Sequence, residues 1–403
     1  MRILVADRLA EPALEELRTL ADDVVYHPDL SAEGLVEALA GINVLIVRGH
    51  LVDAEAIRAG TRLNLIVRAG TSVANIDVRA ASDRGIYVAN VPGKNASAVA
   101  ELTVTLMGCL DRRVPDAIAS LKAGSWSKHE YAQAAGLRGR RLGVAGVGHV
   151  GREVVRLGLA LGMEVHGFSR SLTPGRAAEL GVLHAPSLVE LARRSDVFSV
   201  HLELNERTRG SIDRCVLEAL PDGAFFINTA QPELVDYDAL LDLAPKKRLR
   251  VGLDVLSNEP PTRTGTLEHP LLSSGLVYAT PHIGASTDQA QLAIANETVR
   301  IVRSFLTKGE VPNVVNIHAT STARYQLVVR HRDRVGALAN VLAVLKRHGI
   351  NLQELDNTVF DGGKAACAKI RLDNRPSDGC LQEIMAFSDE ILHVDLVTLP
   401  FLA

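Results

Sequence analysis

Residues 141–151 read Arg-Leu-Gly-Val-Ala-Gly-Val-Gly-His-Val-Gly, and this stretch decides the fold. A short apolar run meets Gly146, Gly148 and Gly151, spaced G-x-G-x-x-G, and an apolar helical pattern follows. Between a strand and a helix, the first glycine permits a tight turn, the second lets a pyrophosphate approach the backbone, and the third allows close helix packing. The helix N-terminus offers free N–H groups to the phosphates. The stretch predicts a dinucleotide site, although a glycine-rich turn of another α/β fold would share the pattern.

The composition is that of an ordinary globular protein. The 403 residues are 47% hydrophobic and 23% charged, enough for about two or three domains. A formal net charge of −3 gives no reason to expect nucleic acid or an anionic membrane as a partner. No uncharged apolar run reaches the ~18 residues of a membrane span, and residues 1–7 predict a buried strand rather than a signal peptide. The four cysteines lack metal or disulfide spacing, so we expect a cytoplasmic protein without a metal site.

Strand and helix patterns alternate over two successive stretches of the chain. Residues 1–98 alternate short apolar strands with helices, which predicts a parallel sheet. One long helix is predicted at 97–122. Six further strands complete a doubly wound domain, and they are predicted at 141–146, 164–168, 196–200, 224–228, 250–255 and 276–279. The three glycines therefore open a second domain rather than the chain.

The remaining residues return to the first domain and add a third. A helix is predicted at Asp288–Lys308, and from Tyr325 the order β-α-β-β-α-β predicts a ferredoxin-like unit. The predicted fold class is α/β, with a Rossmann-type doubly wound nucleotide domain inserted in a flavodoxin-like substrate domain. The predicted boundaries are 1–98 and 283–318 for the substrate domain, 99–282 for the dinucleotide domain and 319–403 for the C-terminal domain.

Two polar residues near strand ends suggest acid–base chemistry. His282 follows the last predicted strand, and Glu259 follows the strand that ends near Asp254. Ligands of doubly wound sheets bind outside the carboxyl ends of the strands. A glutamate beside an imidazole would orient it and raise its pKa, so that it holds a proton for a carbonyl oxygen. The spacing favours such a pair, while a lone histidine at this place can equally be structural.

The end of the second strand of the nucleotide unit bears on cofactor choice. NAD sites place a carboxylate there for the ribose 2′-hydroxyl, whereas this chain has Ser169, Arg170 and Ser171. Arg170 could stack on adenine and pair with a 2′-phosphate, to which both serines could donate hydrogen bonds. We therefore favour NADP over NAD; in the alternative, Arg170 only covers the adenine of NAD.

Five stretches together resemble one family, and they are residues 68–77, 92–101, 146–151, 254–261 and 281–287. The family is that of the D-2-hydroxyacid dehydrogenases, specifically the phosphoglycerate dehydrogenase type with a C-terminal ACT domain. The resemblance implies an NAD(P)-dependent oxidoreductase that acts at C2 of a small anionic 2-hydroxy or 2-oxo acid, in a homo-dimer or homo-tetramer. It implies that His282 exchanges the proton and that Glu259 supports it.

The resemblance also implies further contacts. Besides the glycines, it implies cofactor contacts by His149, Val150, His201, Thr208, Ala230 and Asp254, with the last two at the nicotinamide carboxamide. The loop of Thr71, Ser72 and Val73 would offer backbone amides to a substrate carboxylate. Three basic residues match cations that hold a distal phosphate or could equally be surface cations, and they are Arg48, Arg68 and Lys128. Of these, Lys128 would reach the site of a neighbouring subunit.

Gln231 departs from the family pattern. Residues 228–233 read Asn-Thr-Ala-Gln-Pro-Glu, where the family has Asn-x-Ala-Arg-Gly-Gly and its arginine grips the substrate carboxylate. Glutamine carries no charge, and a charge-assisted hydrogen bond is roughly twice as strong as a neutral one. Gln231 therefore indicates altered substrate recognition, a slow but ordinary dehydrogenase, or a catalytically impaired protein that senses a dinucleotide and an amino acid. The presence of His282 and Glu259 argues against the last.

The C-terminal domain resembles a regulatory unit. His331, Asp333 and Asn351 match positions that bind serine in related dehydrogenases, and Asp333 could pair with the ammonium group of an amino-acid effector. Gly336 opens the following helix, whose free amides suit a carboxylate. The alternative is a domain that serves only in dimerisation, because exposed edge strands invite pairing.

Overall fold

The computed structural model describes residues 1–260, 265–275, 277–317 and 323–399. Two compact units make up the chain, Met1–Asn316 and Ile317–Ala403. The first contains two parallel sheets and the second contains one antiparallel sheet. The predicted Rossmann-type α/β fold is confirmed. Predictions that involve Pro261, Leu276 and the boundary at 318–322 lie outside the described residues.

The first sheet has five parallel strands in the order β2-β1-β3-β4-β5. The strands are β1 (Arg2–Val5), β2 (Asp23–Tyr26), β3 (Val44–Val47), β4 (Leu65–Arg68) and β5 (Tyr87–Ala89). The helices are α1 (Glu11–Leu20), α2 (Ala32–Ala38), α3 (Ala54–Ala59) and α4 (Val78–Asp83). Strands buried on both faces read as continuous apolar runs, which is why β3 and β4 were predictable. The edge strand β2 is partly exposed, lacks such a run and was missed.

The second sheet has seven parallel strands in the order β12-β11-β10-β9-β6-β7-β8. They are β6 (Arg141–Ala145), β7 (Glu164–Phe168), β8 (Leu183–His184), β9 (Val197–Val200), β10 (Phe225–Asn228), β11 (Arg250–Leu253) and β12 (Val277–Ala279). The strand order reverses between β6 and β9, and such a reversal opens a crevice at the carboxyl ends. The sequence predicted six of these strands and missed the two-residue edge strand β8.

Eight α-helices of the described residues lie in the chain between β5 and β11. They are α5 (Ala96–Arg112), α6 (Val114–Lys122), α7 (Lys128–Tyr131), α8 (His149–Ala160), α9 (Pro174–Glu179), α10 (Leu188–Arg193), α11 (Arg214–Ala219) and α12 (Tyr237–Lys246). The prediction of one helix over 97–122 is wrong, because Arg113 adopts a left-handed φ of 51° between α5 and α6. Pro115 follows at the start of α6, and proline cannot continue a helix without losing a hydrogen bond and clashing with the preceding turn.

A long helix returns the chain from the second sheet to the first. This helix is α13 (Asp288–Lys308), and its residues Ile294, Ala295 and Val299 are buried in the core of the first sheet. Residues 280–287, which join β12 to α13, therefore run between the two sheets of the same compact unit. His282 lies in this connection.

The second unit has four antiparallel strands in the order β14-β15-β13-β16. The strands are β13 (Tyr325–Arg332), β14 (Leu352–Val359), β15 (Ala365–Leu372) and β16 (Ile391–Thr398), and the helices are α14 (Ala337–Arg347) and α15 (Asp378–Ala386). This is the predicted β-α-β-β-α-β order with ferredoxin-like topology. Across the parts of both units that the structure describes, no helix combines the length and apolarity of a membrane span.

Glu297 of α13 ties this helix to the connection that follows β5. Its carboxylate accepts a 2.5 Å hydrogen bond from Arg300 and a 2.9 Å bond from Asn313, and Lys94 Nζ lies 3.5 Å away. The hydrogen bond from Arg300 is the main reason why the pKa of Glu297 falls to about 2, against the opposing effect of burial. The carboxylate is therefore stabilised in its charged form in the folded protein.

Glu297→Gln should lower the free energy of unfolding near neutral pH by roughly 1–3 kcal/mol, because charged hydrogen bonds are lost. Since the pKa of Glu297 is lowered from 4.5 to about 2 on folding, its contribution is complete above the unfolded pKa and declines as pH falls through this window. Chemical denaturation near neutral pH and at about pH 3 checks this. The difference in the free energy of unfolding between wild type and variant should shrink in acid. A difference that stays constant would contradict the prediction. Exposed Glu310→Gln is the control.

Candidate active site

His282 and Glu259 form an ion pair beyond the carboxyl ends of β11 and β12. Oε2 of Glu259 lies 2.7 Å from Nδ1 of His282, and its Oε1 accepts a 2.9 Å hydrogen bond from the Leu256 amide. The His282 side chain is 52% exposed. Because Nδ1 is held by Glu259, Nε2 is the ring atom available to a substrate. The structure thus joins the two residues that strand-end reasoning had paired.

The electrostatics of the pair favour a protonated imidazole. The hydrogen bond to Glu259 raises the pKa of His282, the charge of Asp254 adds to this, and burial and the charge of Arg68 oppose it. Burial alone would raise the pKa of Glu259, but the hydrogen bonds from His282 and Leu256 outweigh it and lower that pKa. The contact therefore favours an imidazolium beside a carboxylate over the neutral forms of both groups.

Asp254 fixes the backbone that carries His282. Its side chain is buried, at 2% exposure, and accepts hydrogen bonds from Thr280 Oγ1 (2.7 Å), the Ile283 amide (2.8 Å) and the Gly284 amide (2.7 Å). His282 has a left-handed φ of 52°, a conformation that costs a non-glycine residue about 1 kcal/mol or more. The three bonds hold this turn. The contact of Asp254 with a nicotinamide carboxamide stays a prediction.

The glycines of α8 form a cradle that fits a pyrophosphate. Gly146 has a φ of 100°, and a Cβ there would lie 2.5 Å from the carbonyl carbon of His201. A Cβ at Gly151 would overlap the carbonyl oxygen of Gly146. A Cβ at Gly148 would meet no atom within 4 Å. The first and third glycines are thus required by packing, while the second leaves space before the N-terminus of the helix, where phosphates bind.

The other predicted cofactor residues lie around this cradle. Arg170 and Ser171 are exposed after β7 and Ser169 is half-buried; within the described ranges, Arg170 makes no ion pair. The imidazole of His149 packs against Gly93, and Val150 is half-buried beside it.

Three more of these residues are engaged in local hydrogen bonds. His201 is buried, with Nε2 2.7 Å from Ser199 Oγ, and burial lowers its pKa to about 3, so the imidazole is neutral. Thr208 Oγ1 accepts a 2.9 Å bond from the Asn205 amide within its own loop. The Ala230 amide donates to Asn228 Oδ1 at 3.0 Å.

Arg68 is the last residue of β4, and Arg48 directly follows the neighbouring strand β3. The two side chains differ in their partners. The Arg68 guanidinium is largely buried over Gly70, where an added Cβ would overlap Nη1. Burial, followed by the charge of Arg48, lowers the pKa of Arg68 to about 10 despite the charge of Asp7. Arg48 instead donates to Gln291 Oε1, and its loop is anchored because the amides of residues 48–50 all donate to Asp7 Oδ2.

The remaining predicted substrate residues form an exposed loop and a separate surface site. Thr71 and Ser72 are exposed and Val73 is half-buried. Asn90 Nδ2 donates to the Thr71 carbonyl at 2.6 Å, and the Ala74 amide donates to Ser72 Oγ at 3.2 Å. Lys128 is exposed at the start of α7, and no hydrogen bond between described residues joins it to the others.

Gln231 opens a short 3₁₀ turn, Pro232–Leu234, after β10. Its backbone is extended, and its carbonyl accepts a 3.0 Å hydrogen bond from Asn228 Nδ2. The side chain is half-buried and, within the described part of the chain, its amide makes no hydrogen bond. An uncharged group therefore stands at this strand end.

Sequence reasoning missed Gly70 and Gln291. Gly70 lies in the quoted stretch 68–77, and its role shows only once the Arg68 side chain is placed over it. Gln291 joins Arg48 across 243 positions of sequence and also donates to the Ala285 carbonyl at 2.7 Å. No local pattern marks such a contact.

Two of the three predicted effector residues of the second unit already have side-chain hydrogen-bond partners. His331 is buried, with Nδ1 2.8 Å from the Arg332 carbonyl and Nε2 3.1 Å from Asn357 Oδ1. Asn351 Nδ2 donates to Asp373 at 3.0 Å, and Asp333 is exposed. Binding of an effector by these residues stays a prediction.

Glu259→Gln should lower the pKa of His282, because the hydrogen bond to the Glu259 carboxylate is the main cause of its increase. NMR titration of the His282 imidazole in wild type and variant measures the change. Glu179→Gln, at an exposed position of α9, is the matched control and should leave the titration unaltered. An unchanged or higher pKa in Glu259→Gln would show that the two side chains are not paired in solution.

Comparisons with known proteins bear on the family to which the chain belongs. Residues 104–284 match the model described as "D-isomer specific 2-hydroxyacid dehydrogenase, NAD binding domain". A D-3-phosphoglycerate dehydrogenase of Methanocaldococcus jannaschii is 35% identical over 319 residues, 79% of this chain and 60% of that relative. The chain thus spans less than two thirds of that protein. A hydroxypyruvate reductase of Thermotoga maritima is 36% identical over 300 residues, 74% of this chain and 96% of the relative.

A solved structure extends the likeness to the fold. It is an NADPH-dependent glyoxylate/hydroxypyruvate reductase of Sinorhizobium meliloti in complex with NADP and malonate, with a TM-score of 0.67 and 26% identity. The match covers 78% of this chain and 96% of that one. The chain therefore belongs to the D-isomer specific 2-hydroxyacid dehydrogenase family, and residues 104–284, which include the second sheet, match the NAD binding domain of that family.

Proposed function

We propose that the protein is an NAD(P)-dependent dehydrogenase that interconverts a small anionic 2-hydroxy acid and its 2-oxo acid. The observation that carries the proposal is the 2.7 Å contact between Glu259 and His282 Nδ1, which leaves Nε2 to exchange a proton beyond the strand ends. The names of the relatives support it, since they include a phosphoglycerate dehydrogenase and a hydroxypyruvate reductase.

Residues of the chain supply the proton and orient the imidazole that transfers it. When bound, the nicotinamide supplies or accepts the hydride at C2. In the reducing direction, Nε2 of His282 gives its proton to the C2 oxygen, and the Glu259 carboxylate keeps the ring oriented. In the oxidising direction the same nitrogen accepts the hydroxyl proton. Asp254 keeps the turn in place through Thr280, Ile283 and Gly284.

The same proposal extends to the domain boundaries and to further binding partners. Residues 1–98 with 283–318 form the substrate domain, 99–282 the cofactor domain and 319–403 an ACT-type domain that binds an amino-acid effector. The packing of α13 on the first sheet supports the first division, and the strand order of the second unit supports the last. The active form is a homo-oligomer, to which Lys128 contributes across subunits.

His282→Ala should lower kcat with glyoxylate, hydroxypyruvate or phosphohydroxypyruvate at least about 100-fold, because general acid–base catalysis is lost. The dissociation constant for the nicotinamide cofactor should stay nearly unchanged. Steady-state kinetics and fluorescence titration measure the two quantities, with exposed His27→Ala as control. Retained turnover would remove His282 from the chemistry. Tight cofactor binding by wild type without turnover of any 2-oxo acid would favour the sensing protein that Gln231 also allows.

Arg170→Ala should weaken NADPH binding about 10-fold or more, the loss typical of a charged hydrogen bond, while NADH binding changes little. The physical reason is that a 2′-phosphate gains an ion pair with Arg170, which a 2′-hydroxyl cannot form. Titration of both cofactors against wild type and variant tests this preference for NADP. Arg176→Ala in α9, also exposed, is the matched control. Equal losses for both cofactors would leave Arg170 stacked on adenine without a phosphate contact.

A further inference from the structure

The carboxylate of Glu259 is held at both of its oxygens. Oε2 meets Nδ1 of His282 at 2.7 Å, and Oε1 accepts a 2.9 Å hydrogen bond from the Leu256 amide. The terminal torsion of a glutamate has broad, shallow minima, so a carboxylate held at one oxygen could still turn. The Leu256 amide therefore decides how Glu259 presents Oε2 to the imidazole.

The amide that binds Glu259 belongs to the same peptide group as the carbonyl of Val255. This carbonyl accepts a 2.8 Å hydrogen bond from the phenol of Tyr237. Val255 and Leu256 are buried, at 1% and 5% exposure. Because a peptide group is planar and rigid, a partner that fixes its carbonyl also fixes the direction of its N–H. Tyr237 and Glu259 are thus joined through the peptide group of residues 255 and 256.

The phenol of Tyr237 is itself held in place as a hydrogen-bond donor. Tyr237 is the first residue of α12, and its ring lies edge-on to that of His269, with the centroids 5.9 Å apart. Asn228 Nδ2 donates to the phenol oxygen at 3.4 Å. Burial raises the pKa of Tyr237 and the charge of Glu259 adds to this, although the hydrogen bond from Asn228 opposes it. The phenol therefore keeps the proton that it gives to the carbonyl.

His269 holds the same loop two residues further along the chain. Burial lowers the pKa of His269, which favours the neutral ring. Its Nδ1 accepts a 3.3 Å hydrogen bond from the Leu271 amide, so Nε2 carries the proton and donates to Ser257 Oγ at 3.0 Å. Tyr237 and His269 therefore fix the backbone that leads to Glu259.

A buried carbonyl needs a hydrogen-bond partner, and this need alone would explain a phenol beside Val255. The opposite side of the same peptide group makes the difference. Its N–H donates to a carboxylate that holds the imidazole, and hydrogen bonds that share one polar group strengthen one another. A donor at the carbonyl thus also strengthens the bond from the N–H to Glu259.

We propose that Tyr237 is a positioning residue for Glu259: its phenol fixes the peptide group whose N–H, that of Leu256, orients the carboxylate toward the imidazole. This inference rests on the proposed function. Tyr237 acts through Glu259 rather than on the substrate. Its contribution therefore falls on the proton transfer by His282 and not on the binding of substrate or cofactor.

Tyr237→Phe keeps the ring beside His269 and removes only the phenol oxygen. It should lower kcat with glyoxylate or hydroxypyruvate by about 3- to 10-fold, the factor that corresponds to one neutral hydrogen bond. KM and the dissociation constant of the cofactor should stay nearly unchanged. Tyr278→Phe is the matched control, because it removes a phenol that is hydrogen-bonded to Asp116, and it should leave all three quantities unaltered.

NMR titration without substrate distinguishes positioning from a purely structural role. Tyr237→Phe should lower the pKa of His282, because Glu259 is then held less firmly against Nδ1, while the charges of Asp254 and Arg68 are unaltered. The Leu256 amide proton should move upfield as its bond to the carboxylate weakens. In Tyr278→Phe neither signal should change. An unchanged pKa of His282 in folded Tyr237→Phe would overturn the proposal.

A double variant tests whether the effect passes through Glu259. When Tyr237→Phe is combined with Glu259→Gln, the pKa of His282 should equal that of Glu259→Gln alone, because effects that share one route are not additive. An equal decrease in both backgrounds would show another route and overturn the proposal. A Tyr237-dependent pKa of His282 in a protein that turns over no 2-oxo acid would support the positioning role and refute the dehydrogenase. Turnover with an unchanged pKa and kcat in Tyr237→Phe would do the reverse.

Discussion

The carboxylate of Asp254 is the group on which the geometry of the site depends. It accepts hydrogen bonds from Thr280, Ile283 and Gly284, and hydrogen bonds to charged groups contribute roughly 1.5–3 kcal/mol each. This is enough to hold His282 in a left-handed conformation that costs about 1–2 kcal/mol. Because the same turn leads into α13, whose apolar face is buried on the first sheet, one buried carboxylate positions both the imidazole and the chain that returns to the first sheet.

Three charged side chains influence the pKa of His282. Glu259 and Asp254 raise its pKa, whereas Arg68 and burial lower it. Glu259 contacts the ring directly. Asp254 binds the backbone of the turn that carries the ring, and Arg68 belongs to the first sheet. The pKa of His282 therefore depends on charged side chains from both sheets of the first unit.

The predictable features are those that leave a local pattern in the sequence. The glycines at 146, 148 and 151 and the buried strands could be predicted because backbone geometry and burial restrict residue type over a few positions. The pairing of His282 with Glu259 followed from the rule that parallel strand ends share one edge. The edge strands β2 and β8 have only weak apolar patterns. At Arg113 the helix is broken although the sequence pattern there is helical. The contact of Arg48 with Gln291 depends on how α13 returns to the first sheet, which no short pattern encodes.

The uncharged Gln231 and the unpaired Arg68 are best understood together. Burial, with the nearby Arg48, holds the pKa of Arg68 at about 10, so the guanidinium remains charged near neutral pH although its environment opposes the charge. Desolvation of an unpaired cation weakens the folded state, and an anionic ligand that binds only the folded protein offsets that cost by mass action. The end of β4 therefore carries a positive charge, whereas the end of β10 is followed by the neutral amide of Gln231.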